Sequence, residues 1–127
     1  MLILNLTQHP ATPEQIAEGV IDLQPRLRAE MVAALNFDVI PSSTQIKRVA
    51  EWIADLAAHE SPIARTAMIG GAPYLMAPLE RALARVGIEA CYAFSVREST
   101  EQAQADGSVK KVATFRHAGW VSASNHT

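Results

Sequence analysis

Short apolar runs alternate with longer helical spacings over the first two thirds of this chain. Leu2-Ile3-Leu4-Asn5-Leu6 reads as a buried strand, followed by a Thr7-Gln8-His9-Pro10-Ala11 loop. Thr12-Pro13-Glu14-Gln15 is a helix start: Thr12 caps, Pro13 suits the first turn, Gln15 completes a capping box, and Gly19 stops the helix. Val20-Ile21-Asp22-Leu23 is a second short strand. Leu27, Met31, Ala34 and Leu35 repeat at helical spacing from Pro25 to about Phe37, and Asp38 to Pro41 is a connector or a brief strand. Ser42 and Gln45 form a second capping box, opening a helix with Ile46, Val49, Ala50, Ile53, Leu56 and Ala57 on one face, Trp52 near its edge, and Ser61-Pro62 at its end.

Arg65 to Ile69 is a continuous apolar strand pattern, which predicts cover on both faces. It ends in Gly70-Gly71, directly before a helix that carries Leu75, Leu79, Ala82, Leu83 and Val86 and stops at Gly87. Pro78 leaves two options: a proline inside this helix, at the loss of one hydrogen bond, or a regular helix that begins only at Pro78. The last third changes period. Ile88 to Arg97 and Lys110 to Val121 are strand patterns around Ala105-Asp106-Gly107-Ser108, where Asp-Gly signals a hairpin turn. Strand–helix alternation closed by a hairpin predicts an α/β fold: a Rossmann-like open mixed sheet flanked by helices, with a C-terminal antiparallel β-hairpin.

With 127 residues, 49% hydrophobic and 19% charged, the chain reads as one domain over residues 1–127 with a proper core. The formal charge of -2 argues against a broad surface for duplex nucleic acid, although a small basic pocket is compatible with it. The single cysteine, Cys91, rules out an internal disulfide and a cysteine-rich zinc site; in Ala90-Cys91-Tyr92-Ala93-Phe94 it reads as a small apolar strand residue rather than a nucleophile. No basic-then-apolar leader pattern is visible. Ala67 to Leu79, the longest uncharged apolar stretch, is broken by glycines and prolines and falls short of the roughly 20 residues a membrane span needs. A cytoplasmic protein without membrane contact is the expectation.

In an open α/β sheet, ligands sit at the carboxyl ends of the parallel strands. Three polar segments should meet there: Asn5, Thr7, Gln8 and His9 after the first strand; Gly70, Gly71 and Tyr74 after the central one; Ser95, Arg97 and Ser99 along the next. Gly70-Gly71 matches neither the dinucleotide fingerprint nor a P-loop, and a tight strand-to-helix turn explains it equally well. Arg97 suits bidentate phosphate binding or, alternatively, a salt bridge with Glu98 or Glu101. His9 suits general base or acid chemistry because imidazole titrates near neutrality; His117, on the last strand, is a weaker candidate. His59, at a helix end, and His126, in the tail, read as solvated. Lys110 and Lys111 read by default as part of a solvated hairpin; alternatively, one of them points at an anion while the other faces solvent. No compact metal-ligand spacing occurs, so neither metal nor cofactor is expected.

Several of these motifs, taken in order, resemble a known family. Gly70-Gly71-Ala72-Pro73-Tyr74-Leu75-Met76, Gly87-Ile88-Glu89-Ala90-Cys91-Tyr92-Ala93, Arg97, Asp106-Gly107-Ser108-Val109-Lys110-Lys111 and Phe115-Arg116-His117 are similar to the C-terminal half of small stand-alone CRISPR-associated Rossmann-fold (CARF-like) ring nucleases. Thr7-Gln8-His9 and Thr12-Pro13-Glu14-Gln15 resemble that group's opening. The resemblance spans roughly the first fifteen residues and Met68 to Val121, and omits the two middle helices. Gly71 stands where an acidic or bulkier residue is expected, and the loop before Thr12 is longer.

The resemblance implies a homodimer that binds a cyclic oligoadenylate, a small cyclic RNA, and cleaves it without metal in type III CRISPR antiviral signalling. A ribose 2′-OH would attack its neighbouring phosphorus in line and leave a 2′,3′-cyclic phosphate. His9, Arg97 and Lys110 would carry the chemistry; Asn5, Thr7, Gln8, Gly70, Gly71, Tyr74, Ser95, Ser99 and His117 would bind the ligand. The alternatives are a non-catalytic nucleotide-binding or regulatory module on the same fold, and an unrelated α/β protein that binds a small anionic metabolite.

Overall fold

A computed structural model describes residues 2–61 and 63–123, so Pro62 and His126 lie outside the described residues. The elements run β1 (Ile3–Asn5), α1 (Pro13–Ala17), β2 (Val20–Asp22), α2 (Pro25–Leu35), α3 (Ser43–Glu60), β3 (Thr66–Met68), α4 (Pro73–Arg85), β4 (Glu89–Ala103) and β5 (Val109–Ser122). The strands form one mixed sheet in the order β2-β1-β3-β4-β5, with β1 to β4 parallel and β5 antiparallel to β4. This is the Rossmann-like mixed sheet with a terminal hairpin that the hydrophobic pattern predicts. Asp38 to Pro41 is a connector and not a strand.

Local chemistry sets the helix boundaries. Thr12 Oγ1 accepts from the Gln15 amide (3.2 Å) while Gln15 Oε1 accepts from the Thr12 amide (3.0 Å). Ser42 and Gln45 repeat the arrangement at 3.1 and 2.8 Å. Each box satisfies two amides that the first helical turn leaves free. α2 and α4 have no side-chain cap and begin instead with a proline, whose missing N–H costs nothing there. α4 runs unbroken through Pro78, so the first of the two readings holds and Pro78 gives up one internal hydrogen bond.

Strand alternation sends Leu4, Ala67 and Ala90 to one face, where they pack with Met31, Ile53, Leu75, Leu79 and Leu83 from α2, α3 and α4. The opposite face carries Ile3, Val20, Met68 and Cys91, covered by Ala11 and Trp120. The sheet core is therefore thick on one side and thin on the other. Among the described residues, no helix is long and apolar enough to cross a membrane.

Candidate functional site

The chain leaves β1 and β3 toward opposite faces. After β1 it passes Ala11, on the thin side, and enters α1; after β3 it enters α4, whose Leu75, Met76 and Leu79 belong to the thick side. Adjacent parallel strands whose connections diverge leave a crevice beyond their carboxyl ends, and such switch points are where open α/β sheets hold ligands. A crevice of about 450 Å3 lies there, lined by Thr7, Gln8, His9, Pro10, Thr12, Gln15, Met68, Ile69, Gly70, Gly71, Tyr92 and Ala93.

Asn5 builds the first lip. It is only 1% exposed, and a buried amide must find partners. Its Nδ2 donates to the His9 carbonyl and to Asp22 Oδ1, both at 2.8 Å. Its Oδ1 accepts from the Thr7 amide (2.9 Å) and the Thr7 hydroxyl (2.7 Å). Asp22, at the end of the neighbouring strand, also accepts from the Ala11 amide at 3.1 Å. From α2, Arg28 Nη2 donates to the Gln8 carbonyl at 2.8 Å. The loop is tied at both ends and in the middle, so His9 is presented on a constrained backbone.

Gly70 and Gly71 form the second lip. Met68 O accepts from Leu6 N, and Ile69 N donates to Cys91 O (both 2.9 Å), which carries the sheet pairing up to the crevice floor. Gly71 sits at φ +144°, a conformation that L side chains rarely adopt. Gly70 needs no such freedom; a Cβ there would make ordinary contact with Thr7 Cγ2 at 3.6 Å. Among the described residues, neither glycine amide donates to a backbone carbonyl. With the α4 N-terminus just beyond, this lip is suited to negative charge.

Tyr92 forms the side wall. Its hydroxyl donates to Glu80 Oε2 at 2.5 Å, and burial together with that carboxylate drives its pKa well above the ordinary phenol value. Cys91, beneath it, is pushed up to about 11 by burial and by the charge on Glu89. A thiol that stays protonated at neutral pH is no activated nucleophile, in keeping with the apolar reading of Cys91.

The fold thus brings Thr7, Gln8, His9, Gly70 and Gly71 together, with Asn5 beneath them as the residue that shapes the loop. The remaining sequence candidates are elsewhere in the chain. Tyr74 faces a groove between α3 and α4, tilted against Phe37 at a ring distance of 6.1 Å. Ser95, Arg97, Ser99 and Lys110 stand on the hairpin beyond Ala93, where, among the described residues, β4 and β5 pair only with each other. Glu98, offered by sequence as a partner for Arg97, instead pairs with Arg116 at 2.7 Å. His117 is buried edge-on against Trp120 (4.6 Å between ring centres), and its Nε2 lies 3.5 Å from Glu18 Oε1.

Among the described residues, the crevice lining contains no Lys, Arg, Asp or Glu. Among the described residues, no three His, Cys, Asp or Glu side chains come together as a metal site. Sequence reasoning passed over Asp22, Arg28 and Tyr92. Asp22 left one trace: like Asn5, it is the one polar residue within a short apolar strand run. No curated protein and no solved structure matches the chain. A family model does, over residues 1–121, and the chain belongs to the family described as Uncharacterized protein MJ1673 family.

Proposed function

We propose that the crevice between the β1 and β3 loops binds a cyclic oligoadenylate and that the protein, as a cytoplasmic homodimer, linearises it in type III CRISPR antiviral signalling. One structural observation carries the binding part. Two polar lips, Thr7-Gln8-His9 and Gly70-Gly71 ahead of α4, face each other at the switch point of the sheet. The identity of the ligand rests on the sequence resemblance to CARF-like ring nucleases. A cyclic ligand with its own rotational symmetry suits a two-fold assembly of identical subunits.

The reaction asks little of the protein. The ribose 2′-OH gives its proton to a base as its oxygen attacks the adjacent phosphorus; the bond to the 5′ oxygen breaks, and that oxygen takes up a proton. A 2′,3′-cyclic phosphate and a 5′-hydroxyl result. His9 is the base in this scheme and the glycine lip steadies the phosphate, while Arg97 and Lys110 stand on the hairpin outside the crevice of their own chain.

One observation favours a second reading. Because the lining itself holds no charged side chain, a non-catalytic nucleotide-binding module needs nothing beyond what lies in the crevice. Incubation with cyclic tetra- and hexa-adenylate in EDTA separates the two. Linear products ending in a cyclic phosphate support the ring nuclease, and retention without cleavage supports the module. No binding of either ring overturns both and leaves a different anionic metabolite as the ligand class.

A further inference from the structure

We infer that the distal hairpin, Ser95 to Ala103 with Val109 to His117, is the face on which a second copy of this chain docks. Among the described residues, the two strands pair beyond Ala93 only with each other. A lone two-stranded ribbon is marginal in water; independent stability takes a third strand or a packed face.

Register identifies the face. Alternate β4 residues share one side with their cross-strand partners, giving the rows Ala93–Trp120, Ser95–His117, Arg97–Phe115, Ser99–Ala113, Glu101–Lys111 and Ala103–Val109. A bulge beside Phe94 leaves Ala118 unpaired and keeps Trp120 and His117 on this side. At its base the stripe is covered by the protein's own sheet: Trp120 packs against the Ile3–Val20–Met68–Cys91 cluster, and the His117 side chain is 6% exposed. One row further out Phe115 is 73% exposed, and Val109 near the tip is 59% exposed. The same stripe runs off its own body and stays open.

The charges on the open rows point to a second copy as the occupant. If two such faces stack with the hairpins antiparallel about the Ser99–Ala113 row, each Arg97 meets the other copy's Glu101, and each Lys111 meets the other copy's Phe115 ring. If they stack parallel, each Glu101 meets the other copy's Lys111, and each Arg97 the other copy's Phe115. Both two-fold arrangements set cation against carboxylate or aromatic face, which is the self-complementarity that an isologous contact requires.

The test uses the full chain without nucleotide, so its failure is distinct from a failure of the ligand reading. Sedimentation equilibrium is expected to show a dimer, and Phe115→Asp to weaken association by at least about tenfold, as removal of a central aromatic anchor does. Single reversals Arg97→Glu and Glu101→Arg are expected to weaken an antiparallel dimer and the double variant to restore it. For a parallel dimer, Glu101→Lys with Lys111→Glu plays the restoring role. A monomeric wild type, a Phe115→Asp dimer as tight as wild type, or failure of both double reversals to restore association overturns the inference.

Discussion

The two halves of this sheet are built on opposite terms. β1, β2 and β3 are three residues long, and Ile3, Leu4, Val20 and Ala67 within them are almost wholly buried. β4 and β5 run for 15 and 14 residues, yet beyond Ala93 nearly every position is exposed. Strand length and strand burial are therefore decoupled. In the body, short ladders are held by apolar area that the helices remove from water; in the hairpin, a long ladder is held by its own hydrogen bonds and little else. The crevice belongs to the buried half, and the cations that the sequence nominated for it belong to the open half.

The largest test of that contrast is in the core. Leu79 is 0% exposed, so Leu79→Ala should cost about 2–5 kcal/mol in denaturant unfolding, whereas Phe115→Ala, measured where the chain is monomeric, should stay within about 0.5 kcal/mol. Equal costs would break the comparison. Next comes the residue that ties the first lip to the body. Asn5→Ala removes the acceptor for the Thr7 amide and a donor to Asp22 and should cost about 2–3 kcal/mol, with faster hydrogen exchange at Thr7 and Ala11. Unchanged exchange would mean the loop is held without it.

A smaller effect reports how dry the thin side of the sheet is. Cys91 is raised to about 11 from 9.0, so a free thiol ionises first as pH rises and the unfolded chain loses its proton before the folded one. The stabilisation is complete below about pH 9 and declines toward pH 11, and Cys91→Ala should flatten that decline relative to wild type. Below pH 9 the folded thiolate fraction is lower by roughly a hundredfold, so maleimide labelling in the native state should slow by a similar factor. Rapid labelling would show that the face is open.

The smallest change sits at the hairpin tip. Gly107 has φ +85°, and Gly107→Ala should cost about 1 kcal/mol of local stability by strain alone. Amide exchange at Gln104, whose N–H bonds to Ser108 O, should quicken while the global unfolding midpoint holds. A shift of the midpoint would mean that hairpin and body unfold together.

Local signals were legible because their causes are local. Capping boxes at Thr12 and Ser42, stops at Gly19 and Gly87, and the Asp-Gly turn each act within a few residues, and each appears where the sequence implies it. The hairpin's length was less legible. Polar residues from Glu98 to Gln102 carry no burial pattern, and such strands are specified by register with a partner strand instead. Five crevice residues were found because they follow strands, which is a matter of topology. Tyr74 was misplaced on the same reasoning: it follows Gly71 in sequence, but the helical twist of α4 turns it toward α3.

By itself the sequence determined element type, the capped helix starts and glycine stops, the mixed-sheet class and the presence of polar loops at the strand ends, since these follow from periodicity, caps and turn chemistry. Tertiary structure alone decided that Asn5 and Asp22 join across two strands to hold the His9 loop, that Arg28 reaches that loop from α2, and that Arg97 and Lys110 stand apart from the crevice of their own chain. The physical reason is distance along the chain. Asn5 meets Asp22 across 17 residues and Arg28 meets Gln8 across 20, and such pairings are set by the stacking of strands and helices, not by any local preference.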